Sequence, residues 1–173
     1  MPLIHPSAYR GIFSVYSDTE AIRLIEFFLY YAAPVSDSPL SLDLSAALSR
    51  AEKENLMSSF SSLCGCSRQD LHINCSTNES VLAGLLLTDE TYQPDRPKGF
   101  LWRKNAKGSA KEEDAFDCLV RHIRNAIAHG RTCPQGNLAL FEDFRIKSLT
   151  MRLLVVPNGL IDWANEIQRI LDD

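Results

Sequence analysis

The stretch Glu112–Arg131, with the sequence EEDAFDCLVRHIRNAIAHGR, decides how the chain is interpreted. At about 100° per residue on a helix, its bulky apolar residues fall within about 100° of one another. They are Phe116, Leu119, Val120, Ile123 and Ile127. Acidic residues at its start suit the positive end of the helix dipole, and Gly130 is a typical C-terminal stop. The stretch therefore predicts an amphipathic helix from Glu112 to Gly130 with one buried stripe.

The sequence before this helix predicts further helices and loops. Ser17-Asp-Thr-Glu20 is a capping box that predicts a helix over 18–33. Helically spaced apolar residues predict a second helix over 43–63 and a short one over 79–89. The polar, Cys-rich residues 64–78 and the Pro-, Gly- and Lys-containing residues 91–111 are predicted to be connections.

The sequence after the helix predicts a β-hairpin and a last helix. Residues 137–141 and 150–156 form two short apolar runs typical of paired strands. Residues 158–171 carry apolar side chains at helical spacing. We therefore expect a single domain over 1–173, an all-α helical bundle with a small β-hairpin before the C-terminal helix.

Composition indicates an ordinary soluble domain. The chain has 173 residues, of which 45% are apolar and 23% charged, and its mean hydropathy is −0.12. No apolar run approaches the roughly 20 residues of a membrane span, and the N-terminal MPLIHPSAYR lacks the features of a secretory signal. Five cysteines without a signal peptide favour free thiols in a reducing compartment, so we expect a cytoplasmic protein with no membrane contact.

One cysteine group has the right atoms for a metal site. Cys64, Cys66, His72 and Cys75 lie close together in sequence, but structural zinc sites favour cysteine pairs with two to four residues between them, repeated as a second pair. Buried or half-exposed thiols are the other interpretation. The sequence also lacks a phosphate-binding glycine loop and a His-Glu-x-x-His pair, so we expect no metal and no cofactor.

Basic residues are concentrated around the central helix. Arg96–Arg131 contains nine Lys/Arg and four Asp/Glu, a net charge of +5, whereas the rest of the chain carries −9. Such a concentration is typical of a site for an anionic ligand, and equally of a solvated basic loop. On the helix, Arg124 lies at about 100° and His129 at about 240° from Ile123, so both escape the core on opposite shoulders. Capping at a helix C-terminus also explains a His and an Arg in these places.

The segment Arg124-Asn-Ala-Ile-Ala-His129 resembles the R-x4–6-H motif of the HEPN superfamily, with Asn125 as the polar residue that usually follows the arginine. Gly130, a strand with an acidic end at Asp143, a second strand and a terminal helix fit the same resemblance. It is specific over residues 112–171 and only architectural before them. One departure is Arg131, which stands where related proteins often carry a tyrosine that is modified by adenylylation.

The resemblance implies a metal-independent endoribonuclease that acts as a homodimer, often as a toxin with an antitoxin partner or as an antiviral effector. Arg124 and His129 are then the candidate catalytic residues, with Asn125 in support. Arg121 and Arg131 are candidate RNA-binding residues that contact phosphate. His122 lies beside the core stripe and is interpreted as structural.

Two other functions remain open at this point. The chain could be a non-catalytic HEPN module that binds RNA or a partner protein, or a helical scaffold in which His129 and Gly130 form only a cap. RNA degradation by the pure protein separates the first hypothesis from the other two. RNA binding that weakens steeply with salt separates the second from the third.

Overall fold

The structure, a computed structural model, shows a mixed α/β domain. It describes residues 9–31, 44–74, 96–103, 113–146 and 148–173. A short 3₁₀ turn over Ile12–Ser14 precedes the first helix. In chain order the elements are α1 (Asp18–Ile25, continued as a π-helix over Glu26–Tyr31), α2 (Leu44–Ala47), α3 (Arg50–Leu63), β1 (Leu71–Asn74), β2 (Lys98–Trp102), α4 (Ala115–Ala128), β3 (Thr132–Gln135), β4 (Leu138–Arg145), β5 (Ser148–Val155) and α5 (Pro157–Asp172).

The prediction of an all-α bundle is wrong. Among the described residues 53% are helical and 24% lie in strands, and the strands form one five-stranded sheet in the order β1-β2-β5-β4-β3. The predicted hairpin is present as β4 and β5, which pair antiparallel and are longer than expected. It is the centre of a mixed sheet rather than an appendage, because β2 adds to β5 and β3 adds to β4.

The missed strand β2 lies in the segment predicted to be a loop. Phe100 and Leu101 are fully buried there. Gly99, a loop signal in the sequence, lies in a closely packed part of the strand: a Cβ at this position would stand 2.7 Å from a terminal methyl carbon of Leu153 and 3.0 Å from one of Leu71, so these side chains would have to shift. Strand β1, which pairs parallel with β2, lies in the other predicted connection.

The helix over Glu112–Gly130 exists as α4 and starts three residues later than predicted. The side chain of Asp114 caps it by accepting a hydrogen bond from the Asp117 amide at 2.8 Å. At its end Gly130 has a φ of 64°. The amide of Gly130 donates to the Ile127 carbonyl, and the amide of Arg131 donates to the Ala126 carbonyl. This pair of bonds is a Schellman motif, so the predicted stop at Gly130 is confirmed.

The other helices partly follow the predictions. The capping box of Ser17 and Glu20 is present at α1. The predicted helix over 43–63 is divided into α2 and α3, because Ser49 and Glu52 form a second capping box that starts α3. Helix α5 agrees with the predicted 158–171. The short helix expected over 79–89 lies outside the described residues.

The main core lies between the helices and one face of the sheet. Trp163 of α5 is fully buried against Phe60 and Phe116, and its indole nitrogen donates to the Leu56 carbonyl at 2.8 Å. Helix α4 packs on α3 and the π-helix and also on β4 and β2. Its buried surface is therefore wider than the predicted stripe and includes Cys118 and His122. Within the described ranges, no helix is long and apolar enough to span a membrane.

Candidate functional site

The C-terminal half of α4 carries the two candidate catalytic side chains. Arg124 is half-buried, and its Nε atom is buried without a hydrogen-bond partner. His129 caps the helix through its backbone amide, which donates to the Asn125 carbonyl at 3.0 Å, while its side chain is exposed. In the part of the chain that the structure describes, no hydrogen bond or ion pair holds either side chain. Both are therefore free to bind a ligand.

A buried network lies beside them, between α4 and the sheet. His122 is fully buried. Its Nδ1 is 2.7 Å from Oδ2 of Asp143 in β4, and its Nε2 is 2.9 Å from the carbonyl oxygen of Trp102 in β2. An ionised carboxylate only accepts hydrogen bonds, so Nδ1 donates to Asp143. The imidazole thus ties α4 to two strands.

Asp143 collects donors from three parts of the chain. Its Oδ2 accepts a hydrogen bond from the Asn125 amide at 3.1 Å, and its Oδ1 accepts one from the Phe144 backbone amide at 2.9 Å. Nη1 of Arg131 lies 3.8 Å from Oδ1. Burial raises the pKa of Asp143, but the bonds from His122 and Asn125 outweigh this and leave the pKa below its usual value. Asp143 is therefore an ionised, buried carboxylate that accepts hydrogen bonds from several groups.

Arg121 is committed to a separate ion pair. Its Nη2 donates to Oε2 of Glu113 at 2.9 Å and to the Trp102 carbonyl at 3.2 Å. Its Nε donates to the other oxygen of Glu113, which makes the pair bidentate. Burial lowers the pKa of Arg121, and the bonds to Glu113 outweigh it and raise the pKa overall. This arrangement favours a structural role for Arg121 over the predicted phosphate contact.

Arg131 is held more loosely. It is half-buried, its guanidinium carbon lies 5.0 Å from the ring centre of Phe144, and its Nη1 is buried without a hydrogen bond. The 3.8 Å separation from Asp143 is long for an ion pair. The positive charge of Arg131 is therefore only partly neutralised within the chain. A residue that binds phosphate needs such a charge.

The structure brings together some of the sequence-predicted residues and separates others. Asn125 and Arg131 meet at Asp143, and Arg121 joins the same network through the Trp102 carbonyl. Within the described ranges, no hydrogen bond or ion pair links Arg124 to His129. Their placement on opposite shoulders of α4 stays a prediction from their helical spacing.

Two residues of the network were not among the predicted site residues. Asp143 follows Ala139 and Phe141 at alternate positions of β4, and both of these are fully buried. A carboxylate in such a series points into the core and needs a buried donor, which is the signal that strand periodicity offers. His122 was interpreted as structural because it lies beside the core stripe of α4.

The described thiols do not suit nucleophilic chemistry. Burial raises the pKa of Cys118 and of Cys66, each to about 12, and it raises that of Cys64 further. A thiol in this condition is protonated near neutral pH.

Among the residues that the structure describes, no group of three or more His, Cys, Asp or Glu is placed to hold a metal ion. Cys75, a member of the cysteine group noted in the sequence, lies outside those residues.

Compared with known proteins, the chain matches no family model, no curated protein and no solved structure.

Proposed function

We propose that this chain is a metal-independent endoribonuclease in which Arg124 and His129 are the catalytic residues. One observation carries the proposal. Polar neighbours on the same helix, Arg121, His122 and Asn125, are bound within the chain, whereas the side chains of Arg124 and His129 have no partner in the described structure. An arginine with a buried, unpartnered Nε is costly for a protein unless a ligand completes it.

The chemistry suits these two side chains. RNA supplies its own nucleophile, the ribose 2′-hydroxyl, whose oxygen attacks the adjacent phosphorus while the bond to the 5′-oxygen breaks. His129 takes the 2′-hydroxyl proton, and a proton from solvent goes to the leaving oxygen. Arg124 stabilises the charge that develops on the phosphate oxygens. The products are a 2′,3′-cyclic phosphate and a 5′-hydroxyl.

The separation of the pair around α4 supports a homodimer. Arg124 and His129 stand about 140° apart on the helix, so one helix does not focus both on one phosphate. Two copies related by a two-fold axis bring Arg124 of one chain to His129 of the other. Arg131, with its partly neutralised charge, is the second phosphate contact in this arrangement.

The wider biological setting belongs to the same proposal. The resemblance of Arg124–His129 to the HEPN motif favours a toxin or a defence effector, with an antitoxin as a partner protein. Cys64, Cys66, Cys118 and Cys133 are free thiols, which suits the reducing cytoplasm.

A non-catalytic RNA-binding module is the second candidate. The end of the β4–β5 hairpin favours it, because the guanidinium carbon of the exposed Arg145 lies 5.5 Å from the ring centre of the half-buried Trp102. Aromatic and arginine planes at a surface stack with the bases of single-stranded RNA. Binding without cleavage is the result that this candidate predicts.

Cleavage by purified protein tests the proposal. We expect single-stranded RNA to be cut in excess EDTA, with 2′,3′-cyclic phosphate and 5′-hydroxyl ends. Arg124→Ala and His129→Ala should each lower the rate by about 100-fold or more without loss of the fold. Arg169→Ala, at an exposed position of α5, is the matched control and should cleave normally. Near-normal cleavage by either site variant, or activity that EDTA abolishes and Mg²⁺ restores, contradicts the mechanism.

A further inference from the structure

Asn125 has a fixed orientation because of the atom it faces. Oδ2 of Asp143, 3.1 Å from its amide nitrogen, belongs to a carboxylate with a lowered pKa and therefore only accepts. The NH2 group must point toward Asp143, and the carbonyl oxygen Oδ1 must point the other way. Oδ1 has no partner among the described residues and is not one of the buried unpaired atoms. The side chain therefore presents an acceptor to the surface of α4.

The nearest catalytic candidate on that side of the helix is His129. It follows Asn125 by four residues, about 40° further around the helix, and side chains with this spacing are neighbours. The imidazole has no partner in the described structure, so one of its N–H groups is available to Oδ1. An N–H held in this way fixes the ring tautomer and leaves the other nitrogen as a base.

Asp143 is itself held firmly enough to transmit an orientation. It is 3% exposed, His122 donates to it at 2.7 Å, and the Phe144 amide donates to its other oxygen. Its carbonyl oxygen accepts from the Thr150 hydroxyl at 3.1 Å. The register of β4 against β5 shifts between Asp143 and Phe144, and such bulges re-aim side chains beside functional sites.

We propose that Asp143 is a positioning residue that acts through Asn125 on His129. Asp143 fixes the Asn125 amide, Oδ1 of Asn125 accepts an N–H of His129, and the other imidazole nitrogen takes the proton of the RNA 2′-hydroxyl. This inference rests on the proposed ribonuclease function and assigns a role to a carboxylate outside the helix. Asp143 does not touch the RNA.

The variant Asp143→Asn should reverse the orientation of the Asn125 amide while keeping the side-chain volume at position 143. The new amide at position 143 keeps an oxygen toward the Phe144 amide and turns its NH2 toward Asn125, which must rotate to accept it. His122 then accepts at Nδ1 and keeps Nε2 beside the Trp102 carbonyl. Every polar group retains a partner, so we expect the fold to survive. Asn125 now presents NH2 to His129, and kcat should fall about 10-fold or more with little change in KM.

The double variant Asn125→Asp/Asp143→Asn restores an acceptor. The carboxylate at position 125 accepts from the amide at position 143 and offers its second oxygen to His129, so kcat should rise at least about 3-fold above that of Asp143→Asn, toward the wild-type value. Asn125→Ala, which removes the acceptor without touching Asp143, should lose kcat as Asp143→Asn does. If Asp143→Asn does not fold, Asn125→Ala still tests the inference. Asp162→Asn, the same change at an exposed position of α5, should have no effect.

A spectroscopic measurement tests the orientation without relying on cleavage. In ¹⁵N-labelled protein the side-chain NH2 of Asn125 should exchange with solvent more slowly than that of the exposed Asn137, and this protection should vanish in Asp143→Asn. Fast exchange in the wild type overturns the inference. So does normal kcat in a folded Asp143→Asn or Asn125→Ala variant of a protein that cleaves RNA. A wild type that does not cleave RNA overturns the proposed function and with it the catalytic role of Asp143.

Discussion

Replacing His122 with leucine should strongly destabilise the domain. The imidazole is fully buried and carries the link from α4 to the sheet, with 2.7 Å to Asp143 and 2.9 Å to the Trp102 carbonyl. Leucine is similar in volume but has no donor. The substitution therefore removes both contacts and leaves the Asp143 carboxylate and the Trp102 carbonyl with one donor fewer each in a buried environment.

The size of the loss follows from the kind of bonds removed. The hydrogen bond of Nδ1 to an ionised carboxylate contributes about 1.5–3 kcal/mol. Nε2 lies 2.9 Å from the Trp102 carbonyl and 3.2 Å from Nη2 of Arg121, and one hydrogen bond there contributes about 0.5–1.5 kcal/mol. Asp143 keeps its bonds from Asn125 and the Phe144 amide, so its carboxylate is not left wholly unpaired. We expect the free energy of unfolding to fall by about 2–4 kcal/mol, and Tm to fall by roughly 5–15 °C for a domain of this size.

Urea unfolding followed by circular dichroism at pH 7 measures this loss. His72→Leu is the matched control, because His72 lies half-buried on β1 and makes no side-chain hydrogen bond within the described residues. It should change the free energy of unfolding by less than about 1 kcal/mol. Equal losses in the two variants would refute the reasoning, because they would show that the His122 contacts contribute nothing beyond ring burial.

Two further predictions concern charged groups that hold α4. Lys53→Met should lower the free energy of unfolding by about 1–3 kcal/mol, because a buried ammonium loses bonds of 2.8 Å to Asp114 and 3.0 Å to Asp117. Arg50 pairs with Glu54 on the surface, where the two side chains are 93% and 64% exposed, so Arg50→Met should lower the free energy of unfolding by less than about 0.5 kcal/mol in the same urea assay. Equal losses in Lys53→Met and Arg50→Met would contradict the argument. The ionised carboxylate of Asp143 adds to the free energy of unfolding, and this stabilisation is fully present above the pKa of the unfolded state, about 4. It is lost as the pH falls through the pKa of the folded state, which is lower. The urea midpoint of the wild type should therefore drop more between about pH 5 and pH 2 than that of Asp143→Asn, and parallel curves would count against this assignment.

Local signals in the sequence were sufficient for α1, α4, α5 and the hairpin. The capping box at Ser17, the stop at Gly130 and the apolar stripe of α4 depend on residues within one or two helical turns. Strands β4 and β5 are adjacent in sequence, and their two apolar runs were also recognisable. These elements agree with the prediction.

The rest of the sheet depends on partners distant in sequence. Strand β2 has five residues and lies between β1 and β5, and its partner residue at Gly99 is Leu153, more than fifty positions later. Strand β3 contains Pro134, which an edge strand tolerates but which argues against a strand in a sequence. Non-local pairing of this kind leaves no periodic signal in a short segment.

The missing sheet also explains what was overlooked at the site. In a helical bundle α4 would need only one buried stripe, and His122 would lie at the margin of that stripe. Once β4 packs on a second side of α4, His122 becomes fully buried and faces Asp143. Arg124, Asn125 and His129 were proposed because one short segment resembles a known motif, whereas the carboxylate that Asn125 contacts is eighteen positions away in sequence.

Subunit complementation tests the central claim, a ribonuclease site shared by two copies of the chain, most directly. Arg124→Ala and His129→Ala proteins are mixed after subunit exchange has been verified with a tagged chain. Random exchange makes half of the dimers mixed, and each mixed dimer holds one intact pair out of two, so the mixture should recover about a quarter of the wild-type cleavage rate. Each parent alone should remain inactive. A mixture that stays as inactive as its parents after complete exchange, or a wild-type chain that sediments only as a monomer at micromolar concentration, would contradict the shared site.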